Sequence, residues 1–169
     1  NERNFRHYVK KRILTELRQV KPFPLSGVVI HPGTMNMGGV KYELKETLDL
    51  IVKNISDLYQ NGNEDTGILY LENAAGEGYK DFKNIDEMKY VIKKLEHIKD
   101  KNGEHICKNI RICIDTCHLF AAGAYDLSKI KEIRKFKRDF DREIGLKYLK
   151  LIHLNDSKYE FGCRKDYHE

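Results

Sequence analysis

The sequence predicts an α/β fold in which a parallel sheet is built from alternating strands and helices. Short apolar stretches alternate with longer segments in which apolar residues recur at helical spacing. Four such strand–loop–helix units follow one another at intervals of about 40 residues. Each predicted strand leads directly into a residue of a type that binds metal ions in proteins. These residues are His31, Glu72, Asp115 and His153.

The first two units contain two amphipathic segments and two apolar runs. Apolar residues at helical spacing predict a helix over 4–20, which two prolines end. An apolar run predicts a strand over 27–30. After a glycine-rich loop, a second apolar stripe predicts a helix over 42–59. An Asn-Gly-Asn turn separates this helix from a strand over 67–71.

The last two units repeat this order. A loop of small residues precedes an apolar stripe that predicts a helix over 85–99, and an Asn-Gly pair ends it. The strand over 110–114 is almost wholly apolar, as expected of a strand buried on both faces. A further helix over 127–144 stops at a glycine, and a strand over 148–152 follows it.

The position of the four metal-binding residue types indicates a common site. In β/α barrels, catalytic groups come from the carboxyl ends of several strands, which meet at one face. Separate structural roles are the alternative, since Asp115 is also a favoured residue for capping the helix turn that carries His118. Four such residues at equivalent positions favour the shared metal site over four independent caps.

Four units make only half of an eight-stranded barrel, and a half barrel leaves two open sheet edges. The sequence is therefore typical of a barrel whose flanks lie elsewhere, or of an open doubly wound sheet. A doubly wound sheet usually carries a phosphate-binding glycine fingerprint after its first strand. His31-Pro32-Gly33 is not one, because proline lacks an amide proton. We expect residues 1–169 to form a single domain and to be a piece of a longer protein.

Composition further restricts the classes of protein to which this chain could belong. The net charge of +5 comes from 31 basic and 26 acidic residues, so it favours a polyanionic partner only weakly. No apolar run approaches the roughly 20 residues that span a bilayer, and no signal peptide is visible. The four cysteines include no CxxC pair, which suits reduced thiols in an intracellular protein. Cys113 and Cys117 are interpreted as buried thiols, with zinc ligation the less favoured alternative.

Three segments resemble the signatures of endonuclease IV, the family-2 apurinic/apyrimidinic endonuclease of base-excision repair. The first, at 69–78, contains Leu-Glu-Asn-Ala-Ala-Gly-Glu-Gly. The second, at 113–127, is Cys-Ile-Asp-Thr-Cys-His followed by Leu-Phe-Ala-Ala-Gly and, after one inserted alanine, Tyr-Asp-Leu. The third, at 151–168, contains Leu-Ile-His-Leu-Asn-Asp-Ser-Lys and ends in Asp-Tyr-His. A shorter element, Ile-His-Pro-Gly at 30–33, also agrees.

The resemblance implies a TIM (β/α)8 barrel with three zinc ions at the carboxyl ends of its strands, of which this chain supplies about four central units. It implies that seven residues bind zinc: His31, Glu72, Asp115, His118, His153, Asp166 and His168. Glu72 is the expected catalytic residue, which bridges two ions and positions a hydroxide. Two further ligands of the family, a histidine before Asn1 and a glutamate after Glu169, lie outside this chain.

The activity implied is zinc-dependent hydrolysis of the phosphodiester 5′ to an abasic site in double-stranded DNA, leaving a 3′-hydroxyl and a 5′-deoxyribose phosphate. A monomer is expected. The expected DNA-contacting residues are Asn73, Lys158, Arg164 and Lys165. Two alternatives stand beside this hypothesis: a metal-dependent sugar isomerase or epimerase on the same kind of barrel, and an inactive fragment that lacks part of the metal site.

Overall fold

The computed structural model describes residues 2–23, 27–33, 36–37, 40–60 and 67–168. Its helices are α1 (Glu2–Val20), α2 (Leu44–Gln60), α3 (Ile85–Glu96), α4 (Thr116–Ala121) and α5 (Ile130–Glu143). Its strands are β1 (Gly27–Ile30), β2 (Asn36–Met37), β3 (Val40–Lys41), β4 (Ile68–Glu72), β5 (Ile110–Asp115) and β6 (Leu149–His153). Short 3-10 turns cover Glu77–Tyr79 and Ile106–Asn109.

The main sheet has four parallel strands in the order β1-β4-β5-β6. Val28 lies opposite Leu69, and Leu71 lies opposite Ile112, so neighbouring strands pair along their lengths. This order follows the chain order without a reversal. A doubly wound sheet reverses its order at a switch point, whereas a β/α barrel does not. The prediction of a β/α barrel, with four units supplied by this chain, is confirmed.

The core lies between the sheet and the helices that pack against it. The amphipathic stripes of α2 and α3 face the sheet, as their helical spacing predicts. Fully or almost fully buried side chains of these helices and of β4 and β5 include Ile51, Ile55, Met88, Ile92, Leu69, Leu71, Ile110 and Ile112. β5 is buried along its length, except at Arg111. This packing fixes the ends of β4 and β5, from which the site is built.

Several predicted boundaries differ from the observed ones. The helix expected over 127–144 begins at Ile130, because Asp126 accepts hydrogen bonds from the amide and hydroxyl of Ser128 and holds a turn there. The helix expected to reach residue 99 ends at Glu96. The sequence predicts only a turn where helix α4 lies, since six residues are too few for a periodic pattern.

A small antiparallel pair, β2 with β3, was not predicted, and its glycine-rich connection at 38–39 lies outside the described residues. The predicted Asn-Gly-Asn stop at 61–63 lies outside them as well. In the part of the chain that the structure describes, no helix combines the length and apolar character needed to cross a membrane.

Candidate metal centre

Glu72 lies at the centre of the cluster, between His31 after the neighbouring strand β1 and His153 at the end of β6, two strands away. It is the last residue of β4, and its side chain is 9% exposed. Oε1 is 2.8 Å from Nδ1 of His153, at the end of β6. Oε2 is 3.7 Å from Nε2 of His31, which directly follows β1. The two oxygens of one carboxylate therefore face two different imidazoles.

Asp115 caps a helix with one carboxylate oxygen and faces imidazoles with the other. Oδ1 accepts a hydrogen bond from the His118 amide at 3.0 Å and caps α4, so the capping interpretation is correct. Oδ2 accepts from Nδ2 of Asn155 at 2.5 Å and faces two imidazoles. It lies 3.9 Å from Nδ1 of His153 and 3.9 Å from Nε2 of His168. A carboxylate has about four lone-pair sites, so the cap leaves room for a metal ion.

A register irregularity in the sheet aligns Asp115 with His153. Ile112 pairs with Leu149, but Cys113 pairs with Leu151, so β6 contains one extra residue. Because side chains alternate along a strand, a shift of one residue exchanges the two faces. The shift therefore places His153, rather than the residue before it, opposite Asp115.

His118 has a ring nitrogen without a hydrogen-bond partner. Nδ1 lies 2.8 Å from the carbonyl oxygen of Asn73, and a carbonyl only accepts, so Nδ1 carries the proton. In the neutral ring, Nε2 then carries a lone pair. This buried atom lies 2.9 Å from Oδ1 of Asp166, yet it makes no hydrogen bond among the described residues. A cation between the two atoms removes this repulsion, so the residues present fit a metal ion.

The last two predicted ligands come from the segment after β6. Oδ1 of Asp166 is 3.2 Å from Nε2 of His168. Burial alone would raise the pKa of Asp166, but the basic groups around it hold that pKa below its usual value. Burial lowers the pKa of His31, against the opposing effect of Glu72, which favours the neutral imidazole that metal ions bind.

The structure thus brings all seven predicted ligands into one cluster. Donor atoms within 4.8 Å of one another form the groups His31–Glu72–His118 and His118–Asp166–His168. Two further groups include a thiol, Glu72–Cys113–His153 and Asp115–Cys117–His168. Burial, with Glu72 nearby, raises the pKa of Cys113 to about 12, and burial also raises the pKa of Cys117. Both thiols are buried, as the favoured interpretation expects.

Of the predicted DNA contacts, Asn73 does not face solvent. Its side chain is completely buried, and both amide atoms are hydrogen-bonded to Asp115. The side chains of Lys158, Arg164 and Lys165 are exposed, in the segment that carries Asp166 and His168.

Sequence reasoning missed three residues near the cluster. Lys80 contributes a positive field to both His31 and Asp166. The side-chain amide of Asn155 donates to Asp115, and its main-chain amide donates to Oγ1 of Thr116, the third residue, at 2.9 Å. The sequence presents the Asn-Asp pair after β6 only as part of a signature, because spacing does not reveal which loop amide turns inward.

The comparisons with known proteins agree with this architecture. The family model described as a xylose isomerase-like TIM barrel matches residues 7–169. Proteins named "Probable endonuclease 4" from Ureaplasma parvum serovar 3 and Halothermothrix orenii are 29% and 36% identical to the chain. Those alignments cover 100% and 83% of this chain, and 50% and 45% of the two relatives.

A solved structure, the crystal structure of endonuclease IV from Thermus thermophilus, is 25% identical with a TM-score of 0.61. The match covers 84% of this chain and 43% of that one. The chain therefore spans about half the length of the curated relatives it matches.

Proposed function

Because this chain belongs to the xylose isomerase-like TIM-barrel family, we propose that it carries the metal centre of an endonuclease IV-type enzyme that cleaves DNA at abasic sites. One observation carries the proposal: the buried Nε2 of His118, which faces Oδ1 of Asp166 at 2.9 Å without a hydrogen bond. The similarity to proteins named as endonuclease 4 supports the choice of nuclease chemistry.

Zinc is the proposed metal. Four imidazoles and three carboxylates form the donor set, and imidazole ligands favour zinc over magnesium. Three ions are proposed, with ligands His31 and Glu72 for the first, Glu72, Asp115 and His153 for the second, and His118, Asp166 and His168 for the third. When bound, zinc lowers the pKa of a water ligand from 15.7 to about 7 and offsets the negative charge that develops on the phosphate.

Glu72 has the central role in the proposed reaction. Its two oxygens face His31 and His153, so the carboxylate serves two neighbouring positions and orients the attacking water between them. The water oxygen bonds to phosphorus on the 5′ side of the abasic sugar, and the bond from phosphorus to the 3′ oxygen breaks. A proton passes to the departing oxygen, leaving a 3′-hydroxyl and a 5′-deoxyribose phosphate.

The segment after β6 supplies the proposed contacts to double-stranded DNA. Lys158, Arg164 and Lys165 are exposed beside two proposed ligands, and basic side chains near such a centre bind backbone phosphates. Arg164 is anchored by its amide, which donates to the carbonyl of Ala121 at 2.9 Å. The location next to the metal ligands favours this assignment over a merely solvated role.

The test measures zinc content and nicking of a duplex that contains one tetrahydrofuran abasic analogue. The native polypeptide that carries this chain is compared with its Glu72→Gln variant and with Glu104→Gln, an exposed carboxylate outside the cluster. We expect Glu72→Gln to lose at least a hundredfold in nicking rate and Glu104→Gln to match the wild type. Equal nicking by the wild type and Glu72→Gln would refute the assignment.

The same preparation discriminates the sugar isomerase hypothesis. Binding of only one or two divalent ions, turnover of a free sugar and no affinity for DNA would favour that activity. The His118, Asp166 and His168 group argues against it, because proton abstraction from a sugar needs no third metal position.

A further inference from the structure

Asn73 lies where β4 leaves the sheet, immediately after Glu72. It is completely buried, and its amide continues the ladder by donating to the carbonyl of Cys113 at 3.3 Å. Beyond this bond the main chains of β4 and β5 no longer pair. The next backbone groups of β5 are those of Asp115, and they need other partners because buried amides and carbonyls are rarely left unpaired.

The side chain of Asn73 takes the place of the missing main chain. Its Oδ1 accepts from the Asp115 amide at 2.7 Å, and its Nδ2 donates to the Asp115 carbonyl at 3.2 Å. A carboxamide offers the same acceptor and donor as a peptide group, so it extends the ladder by one residue.

Because the side chain of Asn73 bonds Asp115, the main-chain carbonyl of Asn73 is not used in the sheet. The carbonyl instead accepts from Nδ1 of His118 at 2.8 Å. A hydrogen bond to one ring nitrogen decides which nitrogen is available to a metal, and its loss leaves the ring free to rotate and to exchange tautomers. One residue therefore holds the backbone of Asp115, holds the ring of His118, and follows Glu72 directly.

We propose that Asn73 is the positioning residue of the metal centre. It fixes His118 as the tautomer with Nε2 free and holds the main chain of Asp115 against the end of β4. This inference rests on the proposed metal centre, but it concerns only the ligand geometry and requires no nuclease activity. No other side chain supplies both groups at this length: aspartate lacks the donor, alanine lacks both groups, and glutamine is one methylene longer.

The experiment compares Asn73→Ala and Asn73→Asp with Asn84→Ala in the native polypeptide. Asn84 is a matched control, because both of its amide atoms are also hydrogen-bonded, to Glu87 at the start of α3. Long-range ¹⁵N–¹H spectra report the tautomer of the His118 ring without metal. Zinc titration reports affinity, and thermal unfolding reports stability.

We expect the wild type and Asn84→Ala to show a single Nδ1–H tautomer for His118 and equal zinc affinity. Both Asn73 variants are expected to show mixed tautomers and zinc binding weakened about 10- to 100-fold. Asn73→Asp retains the acceptor, so it decides the matter if Asn73→Ala does not fold. A single tautomer and unchanged zinc affinity in a folded Asn73 variant, with only a lower melting temperature, would overturn the proposal.

If the wild type binds no zinc, the proposed function fails, whereas the tautomer comparison still decides whether Asn73 orients the His118 ring. If zinc binds but abasic DNA is not nicked, the activity fails and this inference is unaffected.

Discussion

Nδ1 of His153 lies 2.8 Å from Oε1 of Glu72, although 81 residues separate them in the chain and β5 lies between their strands. This contact requires that β4, β5 and β6 end at the same level. The extra residue in β6 aligns the end of this strand with the end of β5, since it sets His153 opposite Asp115. The cluster is therefore a product of sheet register as much as of residue identity.

Replacing His118 is expected to remove a metal position. In His118→Gln, the group with Asp166 and His168 loses its buried nitrogen, so we expect the zinc content to fall by about one ion. Elemental analysis of dialysed protein measures this content. His97→Gln, at an exposed histidine that ends α3, should retain the wild-type content. Unchanged zinc in His118→Gln would contradict the ligand assignment.

Zinc is expected to stabilise the folded chain, because a ligand that binds only the native state shifts the unfolding equilibrium. At a free zinc concentration about 100 times the dissociation constant, the gain is about 2.7 kcal/mol, or roughly 5–10 °C in melting temperature. Differential scanning calorimetry with and without a chelator measures the shift. Asp166→Asn should reduce it, because that carboxylate lies 2.9 Å and 3.2 Å from two imidazoles. A shift as large in the variant would count against this site.

Asp81 is expected to lower the free energy of unfolding as the pH rises from about 4 to above 6. Its carboxylate is buried, neither oxygen accepts a hydrogen bond among the described residues, and burial raises its pKa to about 6 despite Lys83 at 3.6 Å. The folded state therefore holds this proton more tightly than the unfolded state. The resulting stability is fully present below the unfolded pKa and is lost as the pH passes through 6.

Asp81→Asn should consequently stabilise the protein at pH 7.5 by about 1–3 kcal/mol and give little gain near pH 4. Urea unfolding at the two pH values measures the difference. Asp100→Asn is not a suitable control, because that carboxylate accepts two backbone hydrogen bonds. Asp86→Asn, at an exposed position in the first turn of α3, is suitable. An equal gain at both pH values would exclude titration of Asp81 as the cause.

Gly123 is expected to resist substitution more than Gly103 does. Both have positive φ, +75° and +80°, so alanine is strained at either position. A Cβ at Gly123 would also lie 3.3 Å from Cα of Gly162, whereas a Cβ at Gly103 meets nothing within 4 Å. We expect Gly123→Ala to cost about 1 kcal/mol more in urea unfolding and to weaken zinc binding, since Gly162 lies in the segment of Asp166 and His168. Equal costs without a change in zinc affinity would argue against this contact.

Arg164 is expected to contribute to DNA affinity through phosphate. Arg164→Gln should weaken binding of an abasic duplex several-fold, and by a similar factor for different sequences. It should also reduce, by about one, the steepness with which the logarithm of the affinity falls against the logarithm of the salt concentration. Fluorescence anisotropy at several salt concentrations measures both. Arg134→Gln, on the exposed face of α5, is the matched control. An unaltered salt slope in Arg164→Gln would exclude a phosphate contact.

The fold could be predicted because local patterns and the parallel sheet are consistent with each other. The apolar β5 and the stripes of α2 and α3 are found where spacing placed them. Strand polarity places His31, Glu72, Asp115 and His153 at the same edge of the sheet, so their common location could be predicted. Only the family signatures predicted the other three residues of the cluster, His118, Asp166 and His168. They lie outside the strands, and the periodicity of a sequence does not show which parts of a loop return to a site.

Asn73 shows why the remainder could not be predicted. A polar residue after a strand end is typical of a rim position that faces ligand, yet its carboxamide lies inside the sheet. Whether a side chain replaces a peptide group depends on where two main chains diverge. The register irregularity of β6 was hidden for the same reason, since one extra residue leaves the apolar pattern nearly intact.

The double use of Asp115 affects how far this residue alone indicates a metal site. One oxygen starts a helix while the other faces imidazoles, so two separate demands fall on this position. A barrel of this kind without bound metal would still need a residue that caps the helix here. An aspartate at this position is therefore weaker evidence for metal binding than the histidines that face it.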